Sequence, residues 1–269
     1  MSIFERNNMY MSYEKNSHNQ KSASTILIDL LSIQSYYKII DIGCGSGENT
    51  YKLSILTDNA VLGVDESNGM INICKNKYSD KSNLEFETIK AKNIDNYNHY
   101  DVAFCSSVMH WFKNPHIELI QIRKCLKTNG VLALQSPTKD WSPFLINSIN
   151  KTLMSKELMP YSIYYKCPWF HLSTEEEYSE LLTNCGFTKI LIAFKQEIIS
   201  RDCSADKIID MFESGPAGAY LNPDNYSMEL PTNFTSIFRC AYRKTIEEMI
   251  CGNNIDISYN RVFIVAQNN

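Results

Sequence analysis

The sequence contains no block of basic residues, and its net charge is −4. Nucleic-acid binding depends on clustered Lys and Arg side chains that neutralise phosphates, so nucleic acid is not expected as a partner. The sequence also has no run of roughly 18 apolar residues, so no membrane span is expected. Residues 1–21 are polar and carry no apolar signal-peptide core, which predicts a cytoplasmic protein.

Paired cysteines are missing as well. The chain has nine Cys, and no two of them form a C-x-x-C motif. An odd number without pairing indicates reduced, mostly buried thiols, and no metal site is predicted. Cys44 lies inside a glycine-rich segment, but a nucleophilic role would require a partnered base, and none stands nearby in the sequence.

What the sequence does contain is a regular alternation of strand and helix patterns between residues 22 and 137. Four short apolar runs and one alternating segment, 84–88, are typical of strands, and three segments with helical spacing lie between them. The predicted strands are 38–42, 60–65, 84–88, 100–105 and 131–135. The predicted helices are 48–56, 70–77 and 117–126, the last closed by Asn129-Gly130. This order predicts an α/β domain with a doubly wound, mostly parallel sheet.

The alternation breaks after residue 137. Residues 138–171 hold three Pro and two Trp without a clean period, and residues 204–250 form a second, mainly helical insertion. Between them, Ser173-Thr-Glu-Glu176 predicts a capping box that opens a helix to about Cys185. Two further strands are predicted at 188–199 and 261–266. We expect one domain, 1–269, with a helical cap over the strand ends built from 1–22, 138–171 and 204–254.

The segment Asp41-Ile-Gly-Cys-Gly-Ser-Gly47 follows the first predicted strand directly. In doubly wound sheets, ligands bind beyond the carboxyl ends of the strands, where the winding reverses. Gly43 and Gly45 let the backbone turn tightly and approach a ligand closely. Taken alone, such a loop suits either a nicotinamide dinucleotide or S-adenosylmethionine (SAM).

Three features bear on the choice of cofactor. The spacing is G-x-G-x-G and not G-x-G-x-x-G. Glu48 stands at the helix start, where its carboxylate would repel a pyrophosphate but not the sulfonium and ammonium groups of SAM. Asp65 ends the second predicted strand, where it can accept hydrogen bonds from both ribose hydroxyls of either cofactor. The alternative for Asp65 is an N-cap of the next helix.

Four segments together resemble the class I SAM-dependent methyltransferases. They are 41–47, Gly63-Val-Asp65-Glu-Ser-Asn-Gly-Met70, 100–111 and Asn129-Gly-Val-Leu-Ala133. The resemblance is nearest to the trans-aconitate and juvenile hormone acid methyltransferases, and malonyl-carrier-protein methyltransferases share much of the pattern. It implies a Rossmann-like, seven-stranded sheet with an antiparallel last strand. It also implies SAM as cofactor and S-adenosylhomocysteine as product.

The resemblance further implies roles for individual residues of the cofactor site. Asp41, Gly43 and Gly45 would hold the methionine end of SAM, and Asp65 its ribose. The residues assigned to the adenine border and the rest of the cofactor site are Met70, Ala91, Lys92, Asn93, Ser106, Tyr13 and Gln20.

The adenine border departs from the family pattern. Many relatives carry an acid in or just before the loop at 91–93, whereas this chain has Lys90-Ala-Lys92 there. Asn93, Asp95 or the backbone would then take the place of that acid.

His110-Trp111 follows the fourth predicted strand, at the rim of the cofactor cleft. By the resemblance to juvenile hormone acid methyltransferases, Gln20 and Trp111 would bind the acid that accepts the methyl group. Trp and Gln donate hydrogen bonds without carrying charge, so they orient a carboxylate while leaving it nucleophilic. A carboxylate acceptor needs no general base. The main alternative uses His110 as a base toward nitrogen, oxygen or carbon of a specialised metabolite, and a malonyl carrier protein is a further alternative acceptor.

The second insertion narrows the expected acceptor. Trans-aconitate methyltransferases would carry an Arg-Pro pair there, but this chain reads Ser214-Gly-Pro-Ala-Gly-Ala-Tyr-Leu221. Arg201 and Arg239 are among the few charged candidates in the cap, whose bulk is Tyr, Phe, Trp and Met. We therefore expect a small, fairly apolar acid as acceptor, bound by a monomer or homodimer.

Overall fold

A computed structural model describes the backbone of residues 18–269 and the side chains from residue 22 onward. Seven strands form one sheet: Ile39–Ile42 (β1), Val61–Asp65 (β2), Leu84–Thr88 (β3), Tyr100–Ser106 (β4), Leu126–Pro137 (β5), Lys189–Cys203 (β6) and Ile255–Gln267 (β7). Their order is β3-β2-β1-β4-β5-β7-β6. β1 to β5 run parallel, and β7 runs antiparallel to both neighbours. The predicted doubly wound sheet with an antiparallel last strand is confirmed.

Ten α-helices accompany the sheet within the described residues. They are His18–Asp29 (α1), Glu48–Ile55 (α2), Asn68–Lys77 (α3), Pro115–Cys125 (α4), Pro143–Leu153 (α5), Met159–Ser162 (α6), Glu175–Asn184 (α7), Ala205–Glu213 (α8), Ala217–Tyr220 (α9) and Phe234–Ile250 (α10). None of the helices between residues 18 and 269 is long and apolar enough to cross a membrane. All nine cysteines are free, and six of them are buried.

Apolar side chains pack the helices onto both faces of the sheet. Leu27 of α1, Leu53 of α2 and Ile71 of α3 are buried in the cluster on one face. Ile122 of α4 and Tyr178 of α7 are buried in the cluster on the other face. The central strands β1 and β2 are covered on both sides and are continuous apolar runs, as is usual for buried parallel strands, whereas β3 alternates between buried and exposed residues.

A third cluster, the helical cluster, lies at the carboxyl edge of the sheet. It joins buried residues of the two insertions to the outer ends of β6 and β7, where Cys203, Ile257 and Tyr259 are buried. Its helices are α5, α6, α8, α9 and α10. The first of these, α5, lies in a stretch for which the sequence predicted no periodic structure, and it begins at Pro143, a favourable first helical residue.

Two local predictions were wrong. Asn129-Gly130 does not cap a helix, because α4 ends at Cys125 and the chain pairs at once with β4 through Leu126 and Tyr100. Asn129, at φ 66°, instead donates its N–H to the Asn268 carbonyl at 2.8 Å inside β5. Long-range strand pairing overrides the local capping signal here.

The capping box of α7 lies one residue later than predicted. The Thr174 hydroxyl accepts a hydrogen bond from the Glu177 N–H at 3.3 Å. The Glu177 carboxylate in turn accepts one from the Ser173 N–H at 2.6 Å. The reciprocal bonds therefore involve Thr174 and Glu177, and the helix begins at Glu175.

Candidate active site

The glycine loop after β1 is held against both neighbouring strands. The N–H groups of Gly43 and Cys44 donate to the Val64 carbonyl of β2 at 2.7 and 3.0 Å. Gly43 has φ 67°, and a Cβ built on it would lie 2.4 Å from Val108 Cγ2, in the turn after β4. A side chain is therefore excluded at Gly43 by both backbone conformation and space. The same contact places the turn that carries His110 beside the loop.

Asp65 links the end of β2 to this loop. Its Oδ2 accepts a hydrogen bond from the Gly45 N–H at 3.0 Å, and its Oδ1 accepts one from the Ser67 N–H at 2.8 Å. Ser67, and not Asp65, is the N-cap of α3, since its hydroxyl accepts from the Met70 N–H at 3.3 Å. The N-cap interpretation of Asp65 is wrong, and its carboxylate lies at the loop as the ribose interpretation requires.

Asp41 is a buried carboxylate at the start of the loop, with 2% of its surface exposed. The Thr50 hydroxyl donates to its Oδ2 at 2.7 Å. The pKa of Asp41 is raised to about 7, mainly by burial; the hydrogen bond from Thr50 lowers it in part, and the nearby Asp65 charge contributes to the rise. A cationic group beside Asp41 would favour its ionised form, so the loop is suited to an ammonium or sulfonium ligand.

Cys44 is a poor candidate for a nucleophile. A hydrogen bond with Cys74, followed by burial, raises the pKa of the Cys44 thiol well above its usual value. Only the thiolate is an effective nucleophile. The Cys74 thiol donates to the Gly45 carbonyl at 3.1 Å, so both sulfurs serve the packing of the loop.

The residues expected at the adenine border flank the end of β2. Met70 is buried, at 3% exposure. Ala91–Asn93 form a 3-10 helix in which Lys92 and Asn93 are exposed. The Ile89 N–H, just before this turn, donates to the Asp65 carbonyl at 3.1 Å. These segments therefore lie at the same edge of the sheet as Asp65.

A polar relay lies at the end of β4. The hydroxyls of Ser106 and Ser107 both donate to Gln135 Oε1 of β5, at 3.2 and 2.9 Å. Ser107 has φ 59°, in the left-handed region that costs a non-glycine residue roughly 1–2 kcal/mol. Arg261 of β7 donates from Nη1 to the Ser107 hydroxyl at 3.1 Å. The strained backbone thus aims the Ser107 hydroxyl at a buried guanidinium.

His110 and Trp111 open into an aromatic pocket above the strand ends. The other residues lining it are Ser107, Pro137, Trp141, Trp169, His171, Met211, Ser214, Gly215, Pro216, Tyr259 and Arg261. Ring centroids lie 5.4 Å apart for His110 and Trp111, 5.6 Å for Trp111 and Trp169, and 5.7 Å for His110 and His171. The pocket combines a large apolar surface with a few polar atoms, as is usual for small-molecule sites.

Both histidines of the pocket are neutral at physiological pH. Burial, and then the His171 and Arg261 charges, hold the pKa of His110 well below its usual value. Burial and Arg261 lower the pKa of His171 to about 4. An effective general base has a pKa near the operating pH. The pKa of His110 is well below it, so His110 is a weak base.

Arg261 is the main pocket residue that the sequence analysis missed, although it opens the last predicted strand. The two arginines that it named lie elsewhere, each in an ion pair: Arg201 with Asp256 at 2.9 Å and Arg239 with Glu213 at 2.7 Å. Neither lines the pocket among the described residues. The sequence did contain an indication of its role, because Arg261 is a charged residue at the start of an apolar strand. Arg is rarely buried unless its guanidinium has a polar partner.

Two predicted site residues cannot be placed. Tyr13 lies outside the described residues, and for Gln20 the structure describes the backbone within α1 but not the side chain. The remaining predicted residues fall into three groups, the first of which is Met70 and residues 91–93 at the end of β2. Asp41, Gly43, Gly45 and Asp65 meet at the glycine loop, while Ser106, His110 and Trp111 lie at the end of β4.

Comparison with known proteins agrees with this geometry. Residues 14–192 match the family model described as a methyltransferase domain. The chain is 25% identical over 144 residues to malonyl-[acyl-carrier protein] O-methyltransferase of Acetivibrio thermocellus, covering 50% of each chain. It is 29% identical over 109 residues to trans-aconitate 2-methyltransferase of Deinococcus radiodurans, covering 40% of this chain and 41% of that one. The matches thus span about half the length of these relatives or less.

Solved structures extend the likeness to the whole fold. The YcgJ protein from Bacillus subtilis superposes with a TM-score of 0.61 at 14% identity, covering 93% of this chain and 99% of that one. The family model matches more than half of the 269 residues, which is enough to assign the chain to that family. The chain therefore belongs to the methyltransferase domain family.

Proposed function

We propose that this methyltransferase transfers the methyl group of SAM to the carboxylate of a small, fairly apolar acid. The observation that carries the proposal is the pocket beside the glycine loop, which pairs hydrogen-bond donors and aromatic surface with a histidine held neutral. A carboxylate needs donors to orient it and no base to deprotonate it.

The residues at the loop suit SAM by their chemistry. Asp41 and Asp65 would offer carboxylates to a cation and to ribose hydroxyls, and Gly43 and Gly45 add no side chain to the loop between them. Met70 and residues 91–93 would border the adenine, and Ser106, Tyr13 and Gln20 would complete the cofactor site. SAM, when bound, supplies a methyl group already activated by the sulfonium charge. The protein's task is then to position the acceptor and exclude water.

Trp111 would orient the acceptor carboxylate through its indole N–H, with Gln20 of α1 as a second donor. Both are neutral hydrogen-bond donors, so they would orient the carboxylate without adding a charge of their own. The aromatic walls would exclude water from the reacting atoms. In this proposal the chain is one domain, and the helical cluster is the cap that closes over the strand ends.

Two relatives support an acid as acceptor by their printed names, one an O-methyltransferase of a malonyl carrier protein and one a methyltransferase of trans-aconitate. The rival function, transfer to an amine, phenol or carbon with His110 as base, is disfavoured by the lowered pKa of His110. A neutral imidazole with a low pKa has little driving force to remove a proton from such groups.

A product assay tests the proposal. The purified chain is incubated with methyl-labelled SAM and parallel panels of apolar carboxylic acids, amines and phenols. We expect base-labile methyl esters from the acid panel. Methylated amines or phenols without any ester would refute carboxylate transfer. A His110→Asn variant that keeps its SAM affinity but loses turnover would favour the rival function.

A further inference from the structure

Several buried polar atoms at the pocket lack a hydrogen-bond partner. One belongs to a lining residue, Trp169, whose Nε1 can only donate and has no partner among the described residues. Behind the lining, Gln135 Nε2 has no partner there either. The His110 Nδ1 and His171 Nε2 atoms are also buried without a partner in this part of the chain. Such atoms are costly in a closed protein interior, so their grouping in a cavity indicates a ligand that accepts hydrogen bonds.

The position of Arg261 in this cavity is fixed by the sheet. Arg261 pairs with Pro137 of β5 and with Gln196 of β6, and it is 5% exposed. Its guanidinium donates to Ser107, whose hydroxyl donates onward to Gln135. A guanidinium held by two strands and a hydroxyl relay is pre-organised, and a planar guanidinium matches the geometry of a carboxylate.

The pocket also has a definite charge. Arg261 lines it, and the described lining residues include no Asp or Glu. Burial and the Arg261 charge lower the pKa values of His110 and His171, so both imidazoles are neutral. Arg261 is then the charged side chain among the described lining residues. Arg261 therefore brings a positive charge to the wall of the cavity, and a positive charge favours an anion.

We propose that Arg261 and Trp169 bind an anionic group of the methyl acceptor, and that this pair selects acids over their neutral analogues. The inference rests on the proposed function and names the residues that recognise its substrate class. Arg261 supplies a charge-assisted hydrogen bond to one oxygen of that group, which leaves the other oxygen for methyl transfer, and Trp169 Nε1 supplies a further donor. The three tryptophans that line the pocket hold the apolar body of the acid. Ser107 and Gln135 are positioning residues for the guanidinium.

The experiment measures acceptor binding apart from methyl transfer. The S-adenosylhomocysteine complex is titrated calorimetrically with butyrate, octanoate and 4-phenylbutyrate, and with the primary amide of each. We expect at least one acid to bind more tightly than its amide. Arg261→Gln should weaken that acid by about 10- to 100-fold while leaving the amide within about threefold, since a hydrogen-bonded charge is lost. Trp169→Phe should weaken the acid by about three- to tenfold.

Two variants separate recognition from folding. Arg261→Lys keeps the positive charge and should retain part of the preference for acids. It provides the test if Arg261→Gln does not fold. Arg243→Gln removes an exposed arginine paired with Asp206, and it should leave both affinities unchanged. Equal loss of acid and amide affinity in both Arg261 variants would mean a purely structural role and would overturn the proposal. Failure of every acid to bind the wild-type complex would overturn it too.

The binding titrations, combined with the product assay, separate this inference from the proposed function. If the wild-type chain binds acids through Arg261 but methylates an amine or a phenol of such an acid, carboxylate transfer fails and the anion site stands. If methyl esters form and Arg261→Gln leaves the KM of the acid unchanged, carboxylate transfer stands and the anion site fails.

Discussion

The Asp65 carboxylate accepts a hydrogen bond from the Gly45 N–H at 3.0 Å, so the end of β2 and the glycine loop after β1 form one unit. Loss of this carboxylate removes both the loop contact and the proposed acceptor for the ribose hydroxyls. We expect Asp65→Ala to weaken SAM binding by about 1–3 kcal/mol, as measured by titration calorimetry. The neighbouring Glu66→Ala, at a carboxylate that is 61% exposed, is the matched control and should bind SAM normally. Unchanged affinity in Asp65→Ala would refute its assignment to the cofactor site.

Gly43 and Gly252 provide a second comparison. Both have positive φ, 67° and 78°, but a Cβ at Gly43 meets Val108 at 2.4 Å, whereas a Cβ at Gly252 meets nothing within 4 Å. Gly252→Ala should therefore lose only about 1 kcal/mol of unfolding free energy from backbone strain. Gly43→Ala should lose more, about 2–4 kcal/mol, because steric overlap adds to the same strain. Urea unfolding checks this, and equal losses in the two variants would contradict the tight packing of the loop on Val108.

The raised pKa of Asp41 predicts a pH dependence. With a folded-state pKa of about 7 against an ordinary 3.8, the folded chain keeps a proton that the unfolded chain has lost between these values. The contribution of Asp41 to the unfolding free energy therefore falls as pH rises from about 4 to 7, by on the order of 4 kcal/mol. Asp41→Asn should remove this slope in unfolding titrations without ligand.

SAM binding should show the opposite trend at the same residue. If the ionised Asp41 carboxylate holds the cationic end of SAM, affinity should rise by about tenfold from pH 5.5 to 7 as Asp41 ionises. Asp41→Asn should bind SAM weakly and with little pH dependence. Calorimetric titration across this range tests the assignment, and a wild-type affinity that does not change with pH would argue against it.

The lowered pKa of His171 predicts that the free energy of unfolding decreases in acid. Its folded-state pKa of about 4 lies below the usual 6.5, so the unfolded chain takes up a proton first as pH falls. Its contribution to the unfolding free energy is fully present above pH 6.5 and is lost by pH 4, a change of roughly 3 kcal/mol. The His171 pKa can be followed by NMR. Because Arg261 contributes to the lowering, Arg261→Gln should raise this pKa, and an unchanged value would show that the two side chains do not interact.

Much of the sheet could be predicted because its signals are local. The central strands are apolar runs, and the loop at 41–47 needs glycine at fixed positions, so both are visible in the sequence. The rule that carboxyl ends of parallel strands meet at one edge also explains why Asp65 lies at this loop, although its hydrogen bond with Gly45 was not predicted.

The acceptor pocket was harder to predict because its residues meet only through long-range packing. Trp169 and His171 come from a stretch without periodicity, and Arg261 comes from the last strand. Their distance in sequence from His110 hides their contact in space. Asn129-Gly130 shows the reverse case, in which a strong local signal yields to strand pairing with Asn268.

The unequal lengths of the strand ladders constrain how an acceptor reaches the pocket. β7 pairs with β5 only from Arg261 to Gln267, but it pairs with β6 from Ile255 onward. The segment 255–260 therefore continues the sheet into the helical cluster as a two-stranded arm. Swinging that whole cluster aside would break backbone hydrogen bonds, so we expect the cluster to stay attached to the sheet while the acceptor enters. Amides of β7 within this arm would then exchange slowly with solvent.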